Sequence, residues 1–170
     1  MNEAPGALPQ RIAEITLDEH SVVRRSPAIE DERAAAITDL LKDNQFTPHS
    51  GRGGPFHLHL AIAENRLVME ISAPGAMPRD MPGDGSRETI VLPLAPFRRL
   101  VKDYFLVCES YYAAIRGKNF AQVEAIDVGR RSLHDEGAAL LTERLAGKVA
   151  IDHATARRLF TLICVLHLRA

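Results

Sequence analysis

Cysteine is scarce, a long apolar run is missing, and charges of the two signs nearly cancel. Among 170 residues there are two cysteines, 21 Lys+Arg against 22 Asp+Glu, and a formal net charge of -1. Cys108 and Cys164 both fall in apolar stretches of helical spacing, where a reduced thiol behaves as a small buried hydrophobe. Free thiols are expected rather than a disulfide framework. No apolar run reaches the roughly 18 residues of a membrane-spanning helix, and the opening MNEAPGALPQ has neither the basic nor the apolar region of a secretory signal. A cytoplasmic protein with no membrane contact is the expectation. Near-neutrality removes the global positive field that would draw a chain to nucleic acid. Charge is uneven, however: residues 1–93 carry 9 basic against 14 acidic side chains, and residues 94–170 carry 12 against 8.

Signature motifs are also missing. The glycine-rich TPHSGRGGP (47–55) is not followed by GKS or GKT, so it does not cradle a phosphate in the P-loop manner. RRSLHDEG (130–137) is not HExxH, and Cys108-Glu109-Ser110 lacks the context of a nucleophile elbow or a papain-type cysteine. His57 and His59, two apart on a strand, point the same way but have no local third ligand. Neither a metal nor a cofactor is expected.

With 46% hydrophobic residues the chain has material for one ordinary core, and residues 1–170 are expected to form a single domain. Residues 1–10 read as frayed and 73–86, with three prolines and three glycines, as a flexible loop. Ala13, Ile15 and Leu17 mark a short strand over Arg11–Leu17. Ser26 as N-cap and Pro27 in the first turn open a helix running to about Asp43, with Ile29, Arg33, Ala36/Ile37 and Leu40/Leu41 facing inward. Phe56–Ala63 and Leu67–Ile71 alternate in polarity around Glu64-Asn65 and predict a hairpin, and Arg87–Leu92 a further strand. Such alternation is the antiparallel signature.

The longest apolar stretch of helical spacing, Leu94–Arg116, is expected to be the central buried helix, with Pro96 in its first turn and Gly117 ending it in a left-handed conformation. After it, Val123, Ile126, Leu133, Leu140/Leu141 and Leu145 share helical spacing. Gly129 and Gly137 there imply close helix approach or a kink, leaving one helix or two open. A last helix starts near Asp152. The fold class is thus α+β: a small, mainly antiparallel sheet of three or four strands, packed on one face by a central buried helix and further C-terminal helices.

Five stretches carry a family resemblance: ITLDEHSVVRRSPAIEDERAAAI, HLHLAIAENRLV, LAPFRRLVKDYFLVCESYYAAIR, VEAIDVGRRSLHDEGAALLTERL and ARRLFTLICVLH. They resemble an uncharacterised protein family of alphaproteobacterial type, number two-six-two. The resemblance brings no established activity and assigns no role to any residue.

Chemistry must then come from the side chains. Four Arg-Arg pairs stand out: Arg24-Arg25, Arg98-Arg99, Arg130-Arg131 and Arg157-Arg158. Paired guanidiniums grip phosphate or carboxylate bidentately, whereas Arg99 with Asp103, Asp127 with Arg131 and Arg131 with Asp135 have the spacing of intrahelical ion pairs. Arg130 and His134 share a helical face, with Glu136 nearby as a candidate acid–base partner. The expectation is a small binding or accessory protein that takes an anionic small molecule through Arg98, Arg99, Arg130, Arg131, His134, Arg157 and Arg158. The alternatives are an enzyme acting on a phosphorylated or carboxylated metabolite through His134 and Glu136, and a structural or interaction subunit, a homodimer, without a small-molecule ligand.

Overall fold

The structure is a computed structural model and describes residues 9–19, 26–75 and 87–167. Its first strand, β1 (Ile12–Leu17), is followed by α1 (Pro27–Lys42), the short β2 (Phe46–Pro48), β3 (Phe56–Ala63), β4 (Arg66–Ser72) and β5 (Glu88–Pro93). A 3-10 turn (Ala95–Phe97) then leads into α2 (Arg98–Arg116), α3 (Phe120–Leu145), β6 (Val149–Ile151) and α4 (His153–Leu166). The fold class is α+β.

The sheet has the order β1-β3-β4-β5. β3, β4 and β5 are antiparallel neighbours, as their alternation predicts, and Glu64 and Asn65 turn the β3–β4 hairpin at φ 52° and 62°. Positive φ at both turn positions is the twist that two-residue hairpins favour. β1, by contrast, lies parallel to β3. Parallel neighbours need a crossover, and α1 with β2 supplies it.

Phe56, Leu58 and Leu60 of β3, Leu67, Met69 and Ile71 of β4, and Ile90 and Leu92 of β5 are buried on one sheet face. On that face lie α1, against β1, and α4, against β3; α3 packs on α4 and α2 on α3. The opposite face carries His57 and His59, both hydrogen-bonded to the Thr16 hydroxyl, at 2.8 and 2.7 Å.

Two buried polar devices tie the layers together. The Asn44 side chain receives the Ile12 N–H and donates to the Ile12 and Leu40 carbonyls, clamping β1 to the end of α1. β2 pairs antiparallel with β6, Phe46 opposite Ile151, which brings the start of α4 beside the end of α1. Asp152 caps α4 by accepting the Thr155 N–H at 3.0 Å.

Several expectations need correction. The helix buried almost throughout is α4, where every residue from Leu159 to Leu166 is buried, rather than the Leu94–Arg116 stretch. In α2 only Leu100, Val101, Tyr104, Cys108 and Ala114 are buried, because its apolar stripe is one-sided. Pro96 sits in the preceding 3-10 turn. Gly117 stays right-handed at φ -78°, and Lys118 takes the left-handed place at φ 54°. The Asn119 N–H then reaches the Ala114 carbonyl at 3.1 Å and the Lys118 N–H that of Ile115 at 3.1 Å, the bonding of a Schellman motif. In α1 it is Glu32, not Arg33, that joins Ile29, Ala36 and Leu40 inside.

The segment after Gly117 is one helix. Gly137 answers a close approach, since a Cβ there would lie 2.5 Å from the Phe160 ring; at Gly129 a Cβ would meet nothing within 4 Å. Both thiols are free and buried, and burial raises both pKa values, that of Cys108 to about 11. Among the described residues no helix is long and apolar enough to cross a membrane. The segment expected to fray, apart from Pro9 and Gln10, the part of the expected loop from residue 76 onward and the Arg24-Arg25 pair lie outside the described residues.

Candidate functional site

α3 leans along α4 because Gly137 admits the Phe160 ring, and this crossing places two of the arginine pairs side by side. Arg130 and Arg131 from α3 and Arg157 and Arg158 from α4 line one open cleft of about 290 Å³, closed on its third side by Glu32, Ala35, Ala36 and Asp39 of α1. His134, Ala154 and Thr161 complete the lining. Five of the side chains singled out in the sequence therefore converge.

Each arginine is partly engaged. The Arg130 Nη2 donates to the Glu32 carboxylate at 2.5 Å, its Nη1 lies 3.6 Å from Asp127, and its guanidinium carbon stands 5.0 Å from the Tyr111 ring centroid. Its Nε is buried with no hydrogen-bond partner among the described residues. Arg131 meets Asp127 through Nε at 3.2 Å, as the four-residue spacing predicts. Asp135, however, does not serve Arg131: it accepts from His153 at 2.9 Å and from Arg157. Those two bonds hold the Asp135 carboxyl below its ordinary value, the His153 bond most. Arg158 donates from Nη1 to the Asp43 backbone carbonyl at 3.1 Å. A guanidinium has five N–H donors, so each arginine keeps donors beyond these contacts.

His134 is buried beneath the cleft. Its Nδ1–H donates to the Arg130 carbonyl at 2.8 Å, and its ring stands edge-on to Tyr104 and Phe160. Burial, more than any charge nearby, lowers its pKa from the ordinary 6.5. The unfolded chain therefore takes up this proton at a higher pH than the folded one. Stability is fully kept above about pH 6.5 and is lost as pH falls towards the folded-state value, with a limiting slope of about 1.4 kcal/mol per pH unit. Urea unfolding at pH 7.5, 6.5 and 5.5 should show that fall in the parent and a smaller one in His134→Gln; identical slopes would contradict the assignment.

The remaining predicted residues sit elsewhere. Arg99 bridges Asp103 at 3.2 Å and Glu136 on α3, on the far side of α3 from the cleft, and Arg98 is exposed beside it at the start of α2. Glu136 is thereby taken by Arg99 and lines a separate groove with Leu106 and Val107, so the His134–Glu136 acid–base pair is not formed. The reason is angular: residues two apart on a helix face nearly opposite ways. Glu32, Asp39 and Tyr111 were not singled out as site residues. Glu32 had a signal, its place three and four residues from Ile29 and Ala36; Asp39 and Tyr111 had none.

Comparison with known proteins decides the family. Residues 9–169 match the family described as Uncharacterised protein family (UPF0262). The chain belongs to UPF0262. It is 57% identical to a UPF0262 protein of Rhodospirillum rubrum over 158 residues, covering 93% of this chain and 92% of the relative. A UPF0262 protein of Nitrobacter winogradskyi is 54% identical, with 92% and 89% covered, and one of Rhodopseudomonas palustris strain TIE-1 is 52% identical, with 98% and 97% covered. No solved structure matches this UPF0262 chain.

Proposed function

We propose that this UPF0262 chain is a single-domain cytoplasmic binding or accessory protein that holds a small phosphate- or carboxylate-bearing molecule in the cleft between α1, α3 and α4. The observation that carries the reading is the convergence of Arg130, Arg131, Arg157 and Arg158 on one concave surface, each with N–H donors beyond its internal contacts. Arginine clusters of this kind grip tetrahedral or planar anions bidentately. Binding is favoured over turnover because Glu136 faces away and Glu32 is committed to Arg130, leaving His134 without a carboxylate hydrogen-bond partner among the described residues.

A thermal-shift screen against inorganic phosphate, phosphorylated metabolites, nucleotides and carboxylates tests this. A probe at a hundred times its dissociation constant raises the melting temperature of a chain this size by several degrees. That rise should shrink in Arg131→Ala and vanish in Arg157→Ala. A flat response to every anion contradicts the reading.

A second reading has its own observation. Leu106, Ile115, Phe120 and Val128 are 54, 43, 76 and 61% exposed, all on α2 and α3. A contiguous exposed apolar patch marks an association surface, and a homodimer that covers such side chains on α2 and α3 is the form it would take. Sedimentation of the parent beside Leu106→Lys and Val128→Lys separates the two: a dimer in the parent alone supports it, and a monomer throughout removes it.

A further inference from the structure

Most of the charged side chains that line the cleft have an opposite charge at hand. Arg130 has Glu32, Arg131 has Asp127, and Arg157 has Asp135. Two are left over, one of each sign. Arg158 uses Nη1 on a neutral acceptor, the Asp43 carbonyl, and has no carboxylate in salt-bridge range among the described residues. Asp39, exposed on α1, makes no ion pair or hydrogen bond among the described residues. The two do not reach each other, although α1 and α4 pack together and both side chains face the same cleft.

A bare anion would satisfy only Arg158 and would meet repulsion from Asp39. A molecule with a negative and a positive end satisfies both, its anion on the guanidinium and its ammonium on the carboxylate, each a charge-assisted bond. The same cleft is also lined by Ala35, Ala36 and Ala154. Small apolar side chains leave room for a short aliphatic link, and 290 Å³ is at the low end of the range for small-molecule sites.

We propose that the ligand of this cleft is a small zwitterion, a phosphorylated or carboxylated amine, with its anion on Arg158 and the neighbouring arginines and its ammonium on Asp39. The inference rests on the anion-site reading above and narrows it to one class of molecule.

Matched probes test it. Calorimetric titrations at pH 7.5 would compare O-phosphoethanolamine with ethyl phosphate, and γ-aminobutyrate with butyrate, on the parent, Asp39→Asn and Arg158→Gln, with melting temperatures confirming that these surface variants fold. On the parent the amine-bearing member of each pair should bind about tenfold tighter, the scale of one charge-assisted hydrogen bond. Asp39→Asn should erase that preference, and Arg158→Gln should weaken both members. Equal affinity within each pair, or a preference that survives Asp39→Asn, overturns the zwitterion and leaves the anion site standing. No heat from any of the four probes overturns both.

Discussion

Replacing Arg130 by alanine is expected to cost the fold about 3–5 kcal/mol, the range measured when one partner of a buried ion pair is removed. Glu32 is 6% exposed and faces the Arg130 guanidinium at 2.5 Å. Its charge is felt by Tyr104, Cys108 and Tyr112, whose ionisation it opposes, so the carboxylate sits in a layer of poorly hydrated groups. Without Arg130 it is stranded there. The converse change, Glu32→Ala, should cost less, because Arg130 is 27% exposed and keeps Asp127 at 3.6 Å. Replacing both at once, Glu32→Leu with Arg130→Met, should recover most of the loss, since an apolar pair carries no desolvation penalty. Guanidinium unfolding of the four proteins measures the asymmetry. A cost below about 1 kcal/mol for Arg130→Ala, the scale of a surface pair, would mean that Glu32 finds water or another partner.

Gly137→Ala is the second large effect, with an expected loss of about 2–3 kcal/mol from overpacking. Alanine is ordinarily the better helix residue by about 1 kcal/mol, so the predicted sign is opposite to propensity. The cause is steric. A Cβ at 137 would lie 2.5 Å from two ring carbons of Phe160 and 2.6 Å from a third, and that ring is fully buried with no free direction in which to swing. α3 must then move off α4, and the cleft they form opens with it. Gly129→Ala, where a Cβ meets nothing within 4 Å, should instead stabilise by up to about 1 kcal/mol. A double change, Gly137→Ala with Phe160→Leu, should cost less than the sum of the two single losses. Additive losses would show that the two residues do not share the same space.

Much of this was legible residue by residue, where local chemistry decides the outcome. Ser26 and Asp152 begin helices because their side chains accept the N–H three residues on, and the two-residue turn at Glu64-Asn65 is favoured by Asn65, a residue type suited to positive φ. What was not legible depends on partners distant in sequence. The alternation of β3 reports one buried face but says nothing about the direction of its neighbour, so the parallel pairing with β1 was hidden. β2 and β6, three residues each, are too short to show a period and exist because they pair with each other. At Glu32 and Arg33 the helical period permits either to turn inward; tertiary pairing with Arg130 chose the acid.

The candidate site divides the same way. The arginine pairs were visible as pairs, and the spacing of Arg130 with His134 placed both on one face. That Arg157 and Arg158 would join them, and that Arg98 and Arg99 would not, follows from where α4 and α2 cross α3, which no local pattern records. Asp39 belongs to the cleft because α1 walls it, a placement that no pattern within α1 records.

The most direct test of the cleft as an anion site is an NMR titration with inorganic phosphate at low ionic strength, following the arginine side-chain Nε–H resonances. Saturable shifts confined to Arg130, Arg131, Arg157 and Arg158, with Arg98 and Arg99 unmoved, are the predicted result. Shifts that grow linearly with phosphate and spread evenly over all the arginines would contradict the account.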